Sequence, residues 1–228
     1  MSIRELRAAF RYRVARHLLI GPFLFLWGRP KTTGQEHIPK HGPVILAANH
    51  LAISDSFYVV QCARRPVMFL AKSDYFTQPG LKGKFKKTFF SGMGQIPVDR
   101  SGGSAAAAAI DAATSIVEGG GAWAIHPEGT RSPDGRLHRG KTGVVRVAVN
   151  TGTPIIPIAL TGTDNRTWRN FWKSRVTIDI LPPLDLSWVK PDDEKQIREA
   201  TDKLMQAIQS TTQQEYVDVY AKPGSARK

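Results

Sequence analysis

Cysteine occurs once in the 228 residues, as Cys62. That excludes an intramolecular disulfide framework and any zinc site built from paired CxxC motifs, and it fits a reducing compartment. Cys62 closes the apolar stretch "FYVVQC" and reads as a small helix-packing residue rather than a nucleophile. Long hydrophobic runs are missing too. The most apolar patch, Leu18 to Trp27, falls well short of the roughly 20 residues that cross a bilayer, and Gly21 and Pro22 interrupt it. No small-residue cleavage site follows in "FLFLWGRPKTTG", so a cleaved secretory signal is not expected. Acidic residues are scarce: 19 Asp and Glu stand against 32 Lys and Arg, a net charge of +13. Such a surface favours polyanions, whether nucleic acid, anionic lipid headgroups or phosphorylated substrates. Helix-turn-helix, RNA-recognition and zinc-finger signatures are absent, which argues against nucleic acid.

What is present begins with a basic amino-terminal segment. Arg4, Arg7, Arg11, Arg13 and Arg16 flank a helical face made of Ile3, Leu6, Phe10, Val14 and His17. Arginines so placed reach lipid phosphates while the apolar face dips into the interface, so residues 1 to 30 are expected to associate with a membrane without spanning it.

With 41% hydrophobic residues the remainder can bury a sizeable core. Short β-rich runs at 43–49, 67–71, 95–98, 122–126, 154–160 and 175–181 alternate with helical patterns at 54–65, 81–90, 103–118, 141–151 and 192–218. Alternation of this kind predicts an α/β fold with a largely parallel central sheet flanked by helices. "AKPGSARK" at the end reads as a solvated tail. There is no internal repeat and no interdomain linker.

The chemistry concentrates in "PVILAANHLAISDSFYVV". Asn49 and His50 stand where an apolar strand stops, and Asp55 where a helical pattern starts. Ligand chemistry in open α/β sheets gathers at the carboxyl ends of strands. A neutral imidazole there can take a proton from a hydroxyl, provided a carboxylate holds the other ring nitrogen as its N–H tautomer. Asp55 can do so only across a strand, turn and helix, because five residues apart on one helix the two side chains diverge. No G-x-S-x-G elbow supplies a nucleophile. The substrate's own hydroxyl then attacks, and the group passes directly without a covalent intermediate.

"NHLAISD" is an N-H-x4-D block, and "GQIPVDR" (94–100), "HPEGTRS" (126–132) and "TPIIPIAL" (153–160) come after it in order. In these four blocks the chain resembles the 1-acylglycerol-3-phosphate acyltransferase family of glycerolipid acyltransferases, bacterial type. The resemblance implies an acyltransferase domain over residues 31–220, between the membrane-associating segment 1–30 and the tail 221–228. It implies His50 as general base and Asp55 as its orienting carboxylate, acting on a glycerol hydroxyl that attacks the thioester of acyl-CoA or acyl carrier protein. Arg100 is implied to grip the acceptor phosphate. Glu128, Gly129, Thr130 and Arg131 are implied to complete the glycerol phosphate site, with Lys72 assisting. Glu128 could bond a glycerol hydroxyl or hold Arg131. Pro154 and Pro157 mark a strand that shapes the pocket and acyl tunnel. No cofactor beyond the thioester donor is implied, and the expected partners are membrane lipids and lysophosphatidic acid at the cytoplasmic face of the membrane.

This chain departs from the pattern twice. His126 stands where an aromatic or aliphatic residue is usual, and Ser101 comes after Arg100 where a basic one is frequent. Both leave the acceptor open to glycerol-3-phosphate, a glycolipid or another alcohol. A zinc site from His126, Glu128 and His138 lacks any fixed ligand spacing and is not expected. Gly135 to Thr142 matches the nucleotide-binding signature G-x-x-x-x-G-K-T, but a working loop comes directly after a buried strand and here "EGTRSPD" precedes it. The segment is read instead as a turn and a helix start, with Lys141 a supporting cation beside the same anion.

Overall fold

A computed structural model of the chain describes residues 21–72, 79, 80, 83, 95–98, 105–164 and 175–222. Among these, seven strands form one sheet in the order β1-β8-β7-β2-β5-β3-β4. The strands are β1 (Lys31–Thr33), β2 (Val44–Ala48), β3 (Val67–Lys72), β4 (Gln95–Val98), β5 (Ala122–Ile125), β7 (Ile155–Thr161) and β8 (Thr177–Ile180). A separate pair, β6 (Leu137–His138) and β9 (Tyr216–Val217), is parallel. Strands β7, β2, β5, β3 and β4 run the same way; β8 returns antiparallel to β7, and β1 runs parallel to β8. The helices are α1 (Gly21–Gly28), α2 (Asp55–Cys62), α3 (Ala105–Glu118), α4 (Gly143–Thr151) and α5 (Glu194–Thr212). The α/β architecture expected from the alternating pattern is the one observed.

Both faces of the sheet are covered, which is why β2 reads as an unbroken apolar run. Val44, Leu46 and Ala48 point into a core shared with Leu24 of α1 and with Tyr58, Val59 and Cys62 of α2. Ile45 and Ala47 point the other way, into a core with Val144 and Val147 of α4 and Leu204 and Ile208 of α5. Cys62 is buried in the first of these cores, as the packing residue its context suggested. Close approach of α1 to α2 requires Gly28, because a Cβ at that position would lie 1.9 Å from the Tyr58 hydroxyl oxygen. Gly21 and Pro22, which interrupt the apolar run, are the first two described residues of α1.

Helix α5 buries Ile197, Ala200, Thr201, Leu204, Met205 and Ile208 along one stripe. At its start the Asp193 carboxylate accepts from the Gln196 amide at 3.0 Å, satisfying one orphan N–H. It ends at Thr212, short of the 218 expected from periodicity, because Gln213 turns left-handed (φ 57°) and the chain then enters β9. Strands β1, β6 and β9 were not evident in the sequence: two or three residues carry no detectable period. The helix expected at 81–90, apart from residue 83, and the basic face of residues 1–20 lie outside the described residues.

Candidate active site

Strands β2 and β5 are paired in parallel, with Ala47 opposite Ile125, so the loops leaving the two strands emerge side by side at the carboxyl edge. His50 lies in the loop after β2, and His126 to Ser132 in the loop after β5. The two loops are stitched through the His50 backbone. Its amide donates to Glu128 Oε1 at 2.8 Å, and its carbonyl accepts from the Ser132 amide at 2.8 Å.

The His50 side chain points Nδ1 at Asp55 Oδ2, 3.1 Å away. Asp55 is fully buried, whereas the imidazole is 16% exposed. The same carboxylate oxygen accepts from the Leu51 amide at 2.5 Å and the Ala52 amide at 2.6 Å, so the turn folds around it. Asp55 also opens α2, where the helix dipole favours a negative group. A carboxylate can only accept, so Nδ1 carries the hydrogen and Nε2 is left with its lone pair. The strand, turn and helix that a five-residue spacing demanded are all present.

Two further features hold the loop after β2. The Asn49 side chain donates to the Leu160 carbonyl at 2.9 Å and accepts from the Leu160 amide at 2.8 Å, extending the β2–β7 ladder after β2 has ended. Its amide also donates to Gln214 Oε1 at 2.8 Å, and Gln214 donates to the Gly135 carbonyl at 2.8 Å. The segment after α5 therefore braces both loops of the site. Gln214 escaped sequence reasoning because 165 residues separate it from Asn49.

Glu128 is 1% exposed, and its second oxygen accepts from the His138 amide at 3.1 Å. Burial pushes its carboxyl up to about 8; the hydrogen bonds from the His138 and His50 amides pull the other way and are outweighed. Glu128 thus faces inward and grips backbone, tying the His50 loop to the start of β6. Gly129 adopts φ +78°, and a Cβ there would meet the Lys141 side chain at 2.9 Å. Lys141 accordingly lies over the Glu128–Gly129 turn, and its amide donates to the Pro127 carbonyl at 2.8 Å.

Arg131 makes no hydrogen bond or ion pair with another described residue. It lines a cavity of about 300 Å³ whose walls include Trp27, Leu51, Ile53, Ser54 and Asp164. Thr130 is partly exposed in the same loop. Lys72 is the last residue of β3, paired with Val98 at the end of β4. The Lys72 side chain and Arg100 lie outside the described residues.

His126 stacks on His50 with ring centroids 3.9 Å apart and planes 5° from parallel, and it packs against Phe69 at 5.5 Å. Its Nδ1 faces the Ala48 and Asn49 carbonyls at 3.0 and 3.1 Å, and Nε2 faces the Ser56 hydroxyl at 3.0 Å. Burial, and to a lesser degree the nearby His50, lowers its pKa to about 3. His138 lies between Asp134 (3.1 Å) and the Val219 carbonyl (3.3 Å). The donor atoms of His126, Glu128 and His138 are thus each directed at protein partners, and the described residues contain no group of three metal-binding side chains.

The nucleotide signature takes a different shape from a phosphate-cradling loop. Strand β6 runs through it, and the amides of Leu137, His138 and Arg139 donate to Glu215, Glu128 and Val219. Gly140 packs against the Met205 sulfur, 2.8 Å from where a Cβ would stand. Those amides are spent on the fold and cannot cradle a phosphate.

A family model described as "Acyltransferase" matches residues 29–161. The chain belongs to the acyltransferase family. Within it, a 1-acyl-sn-glycerol-3-phosphate acyltransferase of Limnanthes douglasii is 32% identical over 174 residues, covering 74% of this chain and 59% of that protein. One from Borreliella burgdorferi is 35% identical over 133 residues, covering 58% of this chain and 51% of that protein. The chain thus spans between half and three fifths of the length of these relatives. The crystal structure of the 1-acyl-sn-glycerophosphate (LPA) acyltransferase PlsC from Thermotoga maritima shares the fold, with a TM-score of 0.67 at 23% identity, covering 92% of this chain and 83% of that one. The family match takes in all four sequence blocks, together with both loops that hold His50 and Glu128.

Proposed function

We propose that the protein is an O-acyltransferase that moves a fatty acyl group from acyl-CoA or acyl carrier protein to the free hydroxyl of 1-acylglycerol-3-phosphate, yielding phosphatidic acid for phospholipid synthesis. The observation that carries this reading is the His50–Asp55 pair at the carboxyl end of β2, with Nδ1 held by a buried carboxylate and Nε2 left to accept a proton. His50 Nε2 removes the acceptor's hydroxyl proton as the oxygen attacks the thioester carbonyl carbon. Asp55 stabilises the imidazolium that forms. The tetrahedral intermediate collapses, the C–S bond breaks, and the departing thiolate takes the proton from His50.

Arg131, facing the cavity beside the Leu51–Ser54 turn, supplies a planar fork suited to a phosphomonoester. Arg100, two residues beyond β4, and Lys72 and Lys141 add positive charge for the same anion. Glu128 acts on the site through the backbone of His50. The relatives named as acting on 1-acyl-sn-glycerol-3-phosphate support this acceptor over glycerol-3-phosphate, a glycolipid or another alcohol.

Phe23, Phe25 and Leu26 of α1 and Ile53 of the His50 turn are large apolar side chains left more than half exposed. Trp27 and Ile53 also line the cavity that holds Arg131, so lipid would reach the site along an apolar rim. No described helix is long and apolar enough to cross a membrane. We place the enzyme peripherally or monotopically on the cytoplasmic face, where thioester donors are made.

The test is purified protein with radiolabelled acyl-CoA and a panel of acceptors: 1-acylglycerol-3-phosphate, glycerol-3-phosphate and a non-phosphorylated alcohol. The lysophospholipid should be acylated, and His50→Ala should lose at least about 100-fold in rate while keeping its fold by circular dichroism. Acylation of the non-phosphorylated alcohol alone, or full activity in His50→Ala, would overturn the reading.

A further inference from the structure

The His50–Asp55 contact leaves one degree of freedom unaccounted for. Only Nδ1 is bonded, and the other described contact of the ring is the stack with His126. A single hydrogen bond fixes where the ring is anchored but lets its plane swing about the bond, which would sweep Nε2 away from the acceptor hydroxyl. A flat surface 3.9 Å away and 5° from parallel removes that swing.

His126 is itself locked. Both carbonyls that Nδ1 faces can only accept, so Nδ1 carries the hydrogen, and in the neutral ring Nε2 accepts from the Ser56 hydroxyl. Hydrogen bonds at both edges hold its plane, and Phe69 of β3 adds a third restraint. The titratable groups that face it are His50 and Asp55; Ser56 and Phe69 are uncharged, and Glu128 in its own loop directs both oxygens at backbone amides. A neutral ring beneath His50 presents its π-face to the imidazolium that forms during proton transfer, whereas a second cation at 3.9 Å would oppose it.

We propose that His126 is a positioning residue for the reaction: it fixes the plane of the His50 imidazole by stacking, and it stays neutral so that the stacked pair carries a single proton, on His50. This rests on the acyl-transfer reading above. The two carbonyls fix Nδ1 as the nitrogen that carries the hydrogen, and burial keeps the ring neutral although those carbonyls favour the charged form.

Three variants test it: His126→Phe keeps a flat neutral ring, His126→Leu fills the space without one, and His126→Ala removes both. Thermal melting and steady-state kinetics with 1-acylglycerol-3-phosphate are measured for each. His126→Phe should stay within about threefold of the parent in kcat. His126→Leu and His126→Ala should fall by about tenfold or more in kcat with KM changed less than about threefold, since the ring orients a reacting group and does not touch substrate. The acid limb of kcat/KM should have unit slope in the parent and in His126→Phe. Nitrogen-15 spectra of the parent should show the His126 ring as the neutral Nδ1–H tautomer down to about pH 5, a reading independent of turnover. Parent-like kcat in folded His126→Leu would overturn the positioning role. A slope of two that becomes one in His126→Phe, or a His126 ring that protonates above about pH 5, would overturn the single-proton assignment. Failure of the acyltransferase reading would show separately, as a parent protein without acyl transfer to any acceptor.

Discussion

At the scale of single residues, the site is organised around two buried carboxyl groups that collect donors from both loops. Asp55 Oδ2 takes three donors, which fixes the turn and the His50 tautomer at once. Glu128 links the two loops at the cost of burying a carboxyl, and its pKa sets the sign of the resulting pH dependence. In the unfolded chain Glu128 loses its proton near 4.5, and in the fold near 8. Between those values the folded state holds a proton that the unfolded state has released, so this contribution is fully favourable below about pH 4.5 and is lost as pH rises towards 8. Glu128→Gln removes it and forfeits one amide acceptor, costing about 1 kcal/mol at low pH. Urea midpoints at about pH 5, 6.5 and 8 should show the parent losing stability relative to the variant as pH rises, by at most about 1.4 kcal/mol per unit. Parallel curves would mean that Glu128 is ionised in the fold. His126 contributes with the opposite sign, losing stability as pH falls from 6.5 towards 3.

At the scale of elements, the loop after β2 is held by a side chain that imitates a strand. Asn49 pairs with both backbone groups of Leu160 and carries the brace from Gln214. Asn49→Ala would leave the buried Leu160 amide and carbonyl without these partners, and a loss of about 2 to 3 kcal/mol is expected from chemical denaturation. Gln214→Ala should cost less, about 1 kcal/mol, because Asn49 keeps its ladder to β7. An equal loss in both variants would show that the brace, not the ladder, fixes the loop. The long periodic elements were legible in the sequence: β4 lies at 95–98 as expected, and α3 and α4 end where their patterns end. Short strands were not, because β6 and β9 exist only by pairing with each other.

At the scale of the whole molecule, α1 leaves Phe23, Phe25 and Leu26 exposed, and its Trp27 lines the Arg131 cavity together with the exposed Ile53 of the His50 turn. Replacing Phe25 and Leu26 together by Ser should weaken sedimentation with anionic vesicles by about tenfold or more, given the apolar area withdrawn from the interface. Turnover of a short-chain acceptor dispersed in detergent should change by less than about twofold. Loss of detergent-phase activity alongside binding would instead assign these side chains to the fold.

The sequence by itself determined the α/β class, the order of the main elements and the pairing of His50 with Asp55, because hydrophobic period and residue spacing are local properties of the chain. It also carried the family, through blocks that a linear reading detects. The grip of Glu128 on the His50 and His138 amides, the stack of His126 on His50 and the brace from Gln214 were decided by tertiary structure alone. Each depends on two strands lying side by side in the sheet or on a carboxy-terminal segment returning to the site, and contacts across such sequence distances leave no periodic trace in the chain.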